Sequence, residues 1–497
     1  GDSITLPAGT ITLTRTGSYE NNALTGDLDL RDALTITGAG RDLTIINGNL
    51  NDRVFDILPT ISNSPLTVTL SALTARQGGA VGTGCEVDIT GAQTNVTLVQ
   101  VALRDGACAS SYGYGALYST SSKQIVMSDV IVANNQGYYA AVQISGGTHV
   151  FNQVRILQNT NNGGSALRVS SATLYMERSA LVGNTGQGYG GGLNLYNTAG
   201  AITNTTFAEN IAASGGGLYV DYSSVGFTNN TLVRNTATSY GGGLYLASSS
   251  LYARNTLIAD NGAPSGPDAY CYGYLYSQGS LLIGDNGYCD SNYRYTSGPG
   301  DLIGVNAGVA ATLNNNGDWV APLLSNSPAI DAGSGTCPAA DGRGMARPQD
   351  GDGNGSATCD IGAYEHTGPA ELSLAGLVFS DIDQNGVPGV TEPGVRGVTV
   401  TLRDLGSGAL FTATTGARGG FGFGQLMTGT YAVVERQPVG YDDGLDALGT
   451  AGGVLGPDAM TVTLAYGTSA ISYTFGELPY TVITGVVYID TNADGQF

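Results

Sequence analysis

Lysine is nearly missing from this chain: Lys123 is the only one in 497 residues. Charged residues reach just 12 %, about half the usual share. The charges that exist are unbalanced, with 40 Asp and Glu against 19 Lys and Arg, giving a net charge of −21. A chain so poor in cations lacks the basic footprint that phosphate backbones require, so nucleic acid is excluded as a partner. The surplus suits a soluble surface that attracts divalent cations. No apolar run reaches the ~18 residues of a membrane span, and no leader pattern is visible. The opening GDSITLPAGTITLT is already in a strand rhythm, and the closing YIDTNADGQF stops inside a motif, so both ends are expected to be trimmed.

Histidine is equally scarce. His149 and His366 are the two, far apart, and no CxxC occurs, so a zinc site is not expected. The six cysteines lie in sequence-local pairs: Cys85 and Cys108, Cys271 and Cys289, Cys337 and Cys359. An even count fits three disulfides of an exported protein, with free thiols as the alternative; spacing does not settle the connectivity.

What is abundant is glycine, 77 residues, together with a periodic pattern. The apolar residue of GALY, AAVQ, SALR, GGLN, GGLY and GGLY falls at Leu117, Val142, Leu167, Leu193, Leu218 and Leu244, at intervals of 25 or 26 residues. An asparagine column at Asn134, Asn159, Asn184, Asn210, Asn235 and Asn261 keeps the same beat. The units contain short β-type runs and no helical stripe. A unit of this size, coiled once, is a rung of a parallel β-helix. The leucines then fill the interior. The asparagines sit at a turn, where asparagine tolerates a left-handed backbone, and their stacked amides can hydrogen-bond from rung to rung. The glycines at 190–192, 215–217 and 241–243 are expected at a tight corner. Right-handed coiling follows from the crossover rule. At ~25 residues per rung, residues 1–366 would make about 14 turns, with 326–366 as a closing segment.

Many β-helices degrade polysaccharides. In the regular rungs the acids Asp129, Glu177, Glu209, Asp221 and Asp260 do not form the carboxylate pair that glycoside hydrolysis needs. Glu209 and Asp260 share a column, but Arg234 stands between them, as in a surface charge ladder. Neither histidine has an obvious Ser or Cys partner, so no catalytic residue is assigned. Tyrosine is the other surplus. Tyr270, Tyr272, Tyr274, Tyr276, Tyr288, Tyr293 and Tyr295 cluster in AYCYGYLYSQG and CDSNYRY. They either serve sugar stacking or subunit contact, or simply decorate one strand face.

After a linker at 367–371 the composition changes to seven strand-like runs, LSLAGLVFS to AISYTFGE, an antiparallel β-sandwich over 372–480. Between its first two strands lies SDIDQNGVPGVTE, at 380–392. Asp381, Asp383, Asn385, Gly386 and Glu392 fit the twelve-residue calcium loop, here flanked by strands instead of helices. GLVFSDIDQNG returns as GVVYIDTNADG, with Gly485 standing 109 residues after Gly376. Asp490, Asn492 and Asp494 therefore repeat the first three ligands, and 481–497 begins a second module. DGDGNG, at Asp350, Asp352 and Asn354, has the same opening, but Ile361 stands where the bidentate glutamate belongs.

Two resemblances follow from these stretches. ITLPAGTITLTRTG, TGDLDLRDALTITGAG and SPAIDAG…DIGAYE resemble the β-helical part that follows CSLREA domains, with a choice-of-anchor closing signature; the CSLREA motif itself is absent. The resemblance implies export and display on a bacterial surface. GLVFSDIDQNG…EPGVRGVTVTL and GTYAVVERQPVGYDDG are similar to the B repeats of serine–aspartate-repeat surface proteins. That implies Ca²⁺ held by Asp381, Asp383, Asn385, Glu392 and the Val387 carbonyl, with Asp442, Asp443 and Asp446 as candidates for a further site. Lys–Asn crosslinks, common in related sandwiches, are excluded because 372–497 has no lysine. The expectation is an extracellular, non-enzymatic surface protein: a β-helix on a calcium-stiffened stalk, acting as a fibre or layer subunit or as an adhesin. Its partners would be further copies of itself or surface glycans. The alternatives are a monomeric carbohydrate-binding adhesin and a β-helical lyase or hydrolase.

Overall fold

A computed structural model describes residues 1–17, 25–79, 84–108, 115–285, 288–289, 293–313, 318–367, 372–406, 408–426, 429–464, 470–480 and the single positions 489, 491 and 494. The chain divides into two compact units, Gly1–Gly368 and Pro369–Phe497. The named elements of both are strands.

The first unit is a parallel β-helix. A typical turn consists of strands Ser165–Ser170, Thr173–Glu177, Ala180–Val182 and Thr185–Gly186. Each pairs in parallel with its counterpart one repeat later: Leu167 faces Leu193, Leu174 faces Gly200, Leu181 faces Phe207 and Thr185 faces Ile211. Among the described residues the strands stack into sheets of 22, ten and five. The largest sheet holds two strand columns, joined where Leu66–Arg76 and Thr94–Arg104 run through the bend unbroken. Ala72 and Gln100 absorb that bend at φ 51° and 53°. The predicted leucine column is the inner wall of the ten-stranded sheet, every member fully buried.

The corner expectation also holds. Gly190, Gly215 and Gly241 sit at φ +69°, +65° and +61°. A Cβ on Gly191 would lie 2.6 Å from the Gly216 carbonyl oxygen of the next turn, closer than any side chain tolerates.

The asparagine column differs by one residue at its start. Asn135, not Asn134, joins Asn159, Asn184, Asn210, Asn235 and Asn261 inside the coil. Each of the first five donates its backbone N–H and its Nδ2 to the Oδ1 of the next, at 2.9–3.1 Å. Asn261 ends the ladder by donating both groups to Asp268 Oδ1. The left-handed position is the residue before the ladder: Asn134, Gln158, Gly183, Glu209, Arg234 and Asp260 all have positive φ.

The coil is shorter than about 14 turns because the described residues of 304–366 add no further rung. The last parallel pair joins Leu282–Ile283 to Leu302–Ile303. The chain then returns along the outside. Strands such as Ala180–Val182, Thr206–Ala208 and Thr231–Val233 are buried on both faces. Their outer Ala180, Val182, Ala208 and Val233 pack against Ala321 and Trp319 of the returning segment. Side-chain amides pin it: Asn204, Asn229 and Asn255 donate to the carbonyls of Ala340, Asp360 and Ser334. Within it Arg347 and Glu365, both fully buried, pair at 3.1 Å. Disulfides Cys85–Cys108, Cys271–Cys289 and Cys337–Cys359 all lie in this unit, and no cysteine is free.

The second unit is a two-sheet sandwich. Among the described residues five antiparallel strands, including Thr399–Asp404, Gly429–Glu435 and Ala459–Leu464, form one sheet. The other holds Leu372–Ser380, Gly420–Leu426, Ala470–Pro479 and Tyr441–Asp443. Its first and last strands, Leu372–Ser380 and Ala470–Pro479, run parallel, a departure from a purely antiparallel pattern. Alternation builds the core: in Thr399–Asp404, Val400 and Leu402 point inward with Tyr431, Val462, Tyr473 and Phe475.

Candidate functional site

The twelve-residue loop leaves the strand Leu372–Ser380 and is anchored at both ends. Ser380 N donates to the Pro393 carbonyl at 2.9 Å, and Asp381 N to the Glu477 carbonyl at 2.9 Å. Inside, successive backbone amides turn toward carboxylates. Asn385 N and Gly386 N donate to the two oxygens of Asp381 at 3.0 and 3.1 Å. Asp383 N and Gly389 N donate to the two oxygens of Glu392 at 3.2 and 2.8 Å. Gly386 at φ +71° makes the sharp turn that the motif reserves for glycine.

The result is a convergence. One oxygen each from Asp381, Asp383 and Glu392 lies within 4.8 Å of the others. Asp381 is fully buried, Glu392 is buried and Asp383 is exposed, so the cluster opens on one side. The amide hydrogen bonds from Asp383 and Gly389 hold the Glu392 carboxyl below its ordinary pKa, which keeps it charged. A carboxylate has about four lone-pair sites, so accepting an amide leaves room for a cation. The donor set is oxygen throughout, which suits a hard ion such as Ca²⁺ or Mg²⁺. Asn385 lies at the rim, its Nδ2 on Asp383 Oδ2 at 2.9 Å and its Oδ1 accepting Val387 N at 2.6 Å. Val387 is exposed.

The second acidic opening is completed from elsewhere in the chain. Ile361 is core, but Asp331 brings an oxygen within 4.8 Å of Asp350 and Asp352. Asp352 N donates to Asp331 Oδ2 at 2.8 Å, and Gly355 N to Asp350 Oδ2 at 2.8 Å. Asn354 Nδ2 sits on Asp352 Oδ2 at 2.7 Å. Sequence reasoning missed Asp331 because it searched for a glutamate downstream, whereas the third carboxylate stands 19 residues before Asp350 in SPAIDAG.

Asp442, Asp443 and Asp446 form neither of the two groups that converge among the described residues. Asp443 faces Glu477 in register, and Gly476 N donates to Asp446 Oδ1 at 3.3 Å. Burial pushes Asp446 up to about 7. Beside it, Glu435 is pushed up to about 9 by burial and by fully buried Glu477. Asp490 and Asn492 lie outside the described residues, and Asp494 is exposed.

The tyrosines separate. Tyr295 packs on the coil's core, its hydroxyl donating to Asp301, and Tyr293 is 92 % exposed. Tyr276 stacks on Tyr252 at 5.2 Å, and Arg294 covers the Tyr274 ring at 4.8 Å. Tyr270, Tyr272 and Tyr288 belong to a larger set. Tyr189, Tyr219, Tyr245, Tyr270 and Tyr288 follow one another at 4.7, 5.0, 5.1 and 3.7 Å between ring centroids. The signal for it was in the repeat: Asn194, Tyr219, Tyr245 and Tyr270 each follow the inward residue of their rung.

Two of the five acids weighed for catalysis stand in ion pairs. Asp129 pairs with Arg41 and Arg155, and Glu209 with Arg234 at 3.2 Å.

Comparison with known proteins bears on the two units differently. Among solved structures, the A-module of the Azotobacter vinelandii mannuronan C-5 epimerase AlgE4 is similar over 61 % of this chain and 89 % of that one, at 14 % identity. Its TM-score of 0.30 carries no argument about fold or activity. Serine-aspartate repeat-containing protein D of Staphylococcus aureus (strain Newman) is 33 % identical over 155 residues, 29 % of this chain and 11 % of that protein. Serine-aspartate repeat-containing protein F of Staphylococcus epidermidis is 32 % identical over 149 residues, 28 % of this chain and 8 % of that protein. The chain thus spans about a tenth of the length of the curated relatives it matches. Residues 372–468 match the family model described as SdrD B-like domain, a range that includes the acidic loop and the sandwich strands before Ala470–Pro479.

Proposed function

We propose that this chain is part of a non-enzymatic extracellular surface protein in which a rigid β-helix is carried with a sandwich module stiffened by Ca²⁺. The supporting observation is the convergence of Asp381, Asp383 and Glu392 within 4.8 Å in a loop that joins two strands of the sandwich. Asn385 and the Val387 carbonyl complete the ligand set. A bound Ca²⁺ supplies charge neutralisation and a fixed turn; the chain itself supplies the amides that orient the carboxylates. Asp331, Asp350 and Asp352, with Asn354, would hold a second ion on the returning segment of the β-helix. The match of 372–468 to the SdrD B-like domain supports placement on a cell surface. The partners are further copies of the chain, in a fibre or layer.

Calorimetric titration of the full chain with CaCl₂ tests the metal. Heat at the loop should vanish in Asp381→Asn/Asp383→Asn, and what remains should vanish in Asp350→Asn/Asp352→Asn. No binding heat in wild type would end the calcium reading. Electron microscopy in millimolar Ca²⁺ and in EDTA tests assembly: ordered fibres or sheets lost on chelation are expected, and isolated particles in both conditions would remove the fibre reading.

A further inference from the structure

The outer face of the ten-stranded sheet carries a second feature, independent of the acidic loops. Its tyrosines form two interlocking columns. The inner column, Tyr219, Tyr245 and Tyr270, pairs rung to rung in register and stacks face to face, with interplanar angles of 16° and 18°. The outer column sits where the third sheet meets this one. There Tyr189 bridges to Ser214, Ser214 pairs with Tyr240, and Tyr240 bridges to Ser265. Tyrosine and serine therefore alternate. Tyr189 leans on Tyr219 at 4.7 Å, and Tyr240 leans on Tyr270 at 4.8 Å.

The alternation leaves a notch. Tyr189 and Tyr240 stand two rungs apart, roughly 9.5 Å at the spacing of paired strands. Tyr219 and Tyr245, both partly exposed, floor the space between them. The walls are accessible: Tyr189 is 54 %, Tyr240 45 % and neighbouring Tyr272 57 % exposed. Burial pushes the Tyr245 hydroxyl up to about 12 and raises Tyr219 as well, so both stay protonated and can donate as well as accept hydrogen bonds.

The chemistry of the face selects its occupant. Rungs repeat at one spacing, which suits a polymer of repeating flat units. Arg168 and Asn194 continue the same column on the two preceding turns, and Asp221 lies beside it, its carboxylate accepting Ser248 N. Among the described residues no arginine stacks on the rings of these tyrosine columns, and the single cation of the column, Arg168, is offset by Asp221, so an anionic polymer gains no net attraction here. A protein-binding centre also uses Tyr, but mixed with Trp, Phe, Met and Arg. On this face the exposed large side chains are tyrosines, which pair an apolar plate with a hydrogen-bonding tip.

We propose that the tyrosine columns Tyr189/Tyr240 and Tyr219/Tyr245/Tyr270 form a binding strip for an uncharged polysaccharide, whose sugar rings seat against the exposed tyrosine faces. The strip adds a glycan ligand to the structural role and does not depend on calcium, so either reading can fail alone. Native affinity electrophoresis of the full chain tests it, in gels carrying hydroxyethylcellulose, laminarin, mannan or polygalacturonate. At least one neutral polymer should retard the wild type while polygalacturonate does not. Tyr189→Ala/Tyr240→Ala should weaken that binding about tenfold or more, a loss of ~1.4 kcal/mol. Tyr293→Ala, outside the columns, should bind as wild type, and circular dichroism should confirm that each variant is folded. If the double variant is not folded, the two single variants are held to the same criterion. No retardation by any neutral polymer overturns the proposal, as does retardation that survives loss of both rings. Self-association by sedimentation that the same substitutions abolish would overturn it too, by making the face a protein contact.

Discussion

The β-helix and the sandwich answer the same problem, buried polarity, in opposite ways. The β-helix repeats its solution. Its inward amides form a six-residue asparagine ladder, and further rung-to-rung bonds run from Thr198 to Ser223 to Ser249. Every ion pair among the described residues lies in this unit, as do all three disulfides. The sandwich gathers acids instead. Asp381, Asp383 and Glu392 converge in one loop, and Glu435 and Glu477 are buried with half-buried Asp446 near them. A repeated solution spreads stability over many small contributions. A single solution concentrates it, so one ion or one side chain matters more in the sandwich.

The largest effect should therefore come from the loop. At free Ca²⁺ one hundred times the dissociation constant, binding stabilises by ~2.7 kcal/mol. For a module of about 100 residues that is roughly 10–20 °C in its unfolding midpoint. Scanning calorimetry of Asp381→Asn/Asp383→Asn in calcium should show the sandwich transition lowered by that amount and the β-helix transition unmoved. If both transitions shift together, or neither does, the contrast between concentrated and distributed stability is wrong.

The β-helix has one place where its stability is also concentrated, the returning segment. Breaking a buried pair by removing one partner costs ~3–5 kcal/mol. Glu365→Ala strands Arg347, which is fully buried, and removes the acceptor of Gln349 N and Asp360 N. The expected shift is smaller in degrees because the unit is larger. Limited proteolysis should cut within 304–366 while the coil survives. Cleavage spread evenly along the coil would show that the segment is not a separate strap.

A smaller effect should come from pH, and it sharpens the contrast within the sandwich. Glu435 is pushed up to about 9, above its value of ~4.3 in the unfolded chain. The folded module then holds more protons than the unfolded one, so stability is fully present below about pH 4 and is lost as pH rises toward 9. Urea unfolding in EDTA at pH 5 and pH 8 should give the lower midpoint at pH 8, and Glu435→Gln should flatten the difference. A midpoint that rises with pH would refute the assignment.

How much of this was legible beforehand depends on repetition again. Leu117, Val142, Leu167 and Leu193 announce their column because each stands at the same interval, and parallel pairing preserves that interval as contact. The loop was legible because its ligands are local in sequence. Asp331 was not, because its partnership with Asp350 depends on how the returning segment folds. The strap itself left a trace that a count of turns ignores. ALV, TFA and TLV are apolar on both faces, and an outer face of that kind needs a cover. Tyr189 and Tyr240 were missed because serine alternates with them, which doubles the period.

The finest test concerns a single residue of register. Counting back from Asn159 by the commonest interval lands on Asn134, yet the ladder begins at Asn135, since the first interval is 24 residues. Asn135 is buried; its Oδ1 accepts Gly106 N at 2.9 Å, and its Nδ2 donates to the Leu103 carbonyl at 3.1 Å. Asn134 is exposed at φ 57°. Removing the Asn135 side chain leaves a buried donor and a buried acceptor unpaired, ~1–3 kcal/mol in all after local relaxation. Glycine at 134 satisfies the left-handed backbone and should change stability by less than ~0.5 kcal/mol. Urea unfolding of Asn135→Ala and Asn134→Gly, with hydrogen exchange at the Gly106 amide, separates them. Equal costs, or faster Gly106 exchange in the Asn134 variant, would move the ladder back by one residue. A cost confined to Asn135 means that the ladder fixes the register of its turn, and that the turn absorbs the missing residue at the left-handed position, where asparagine or glycine fits.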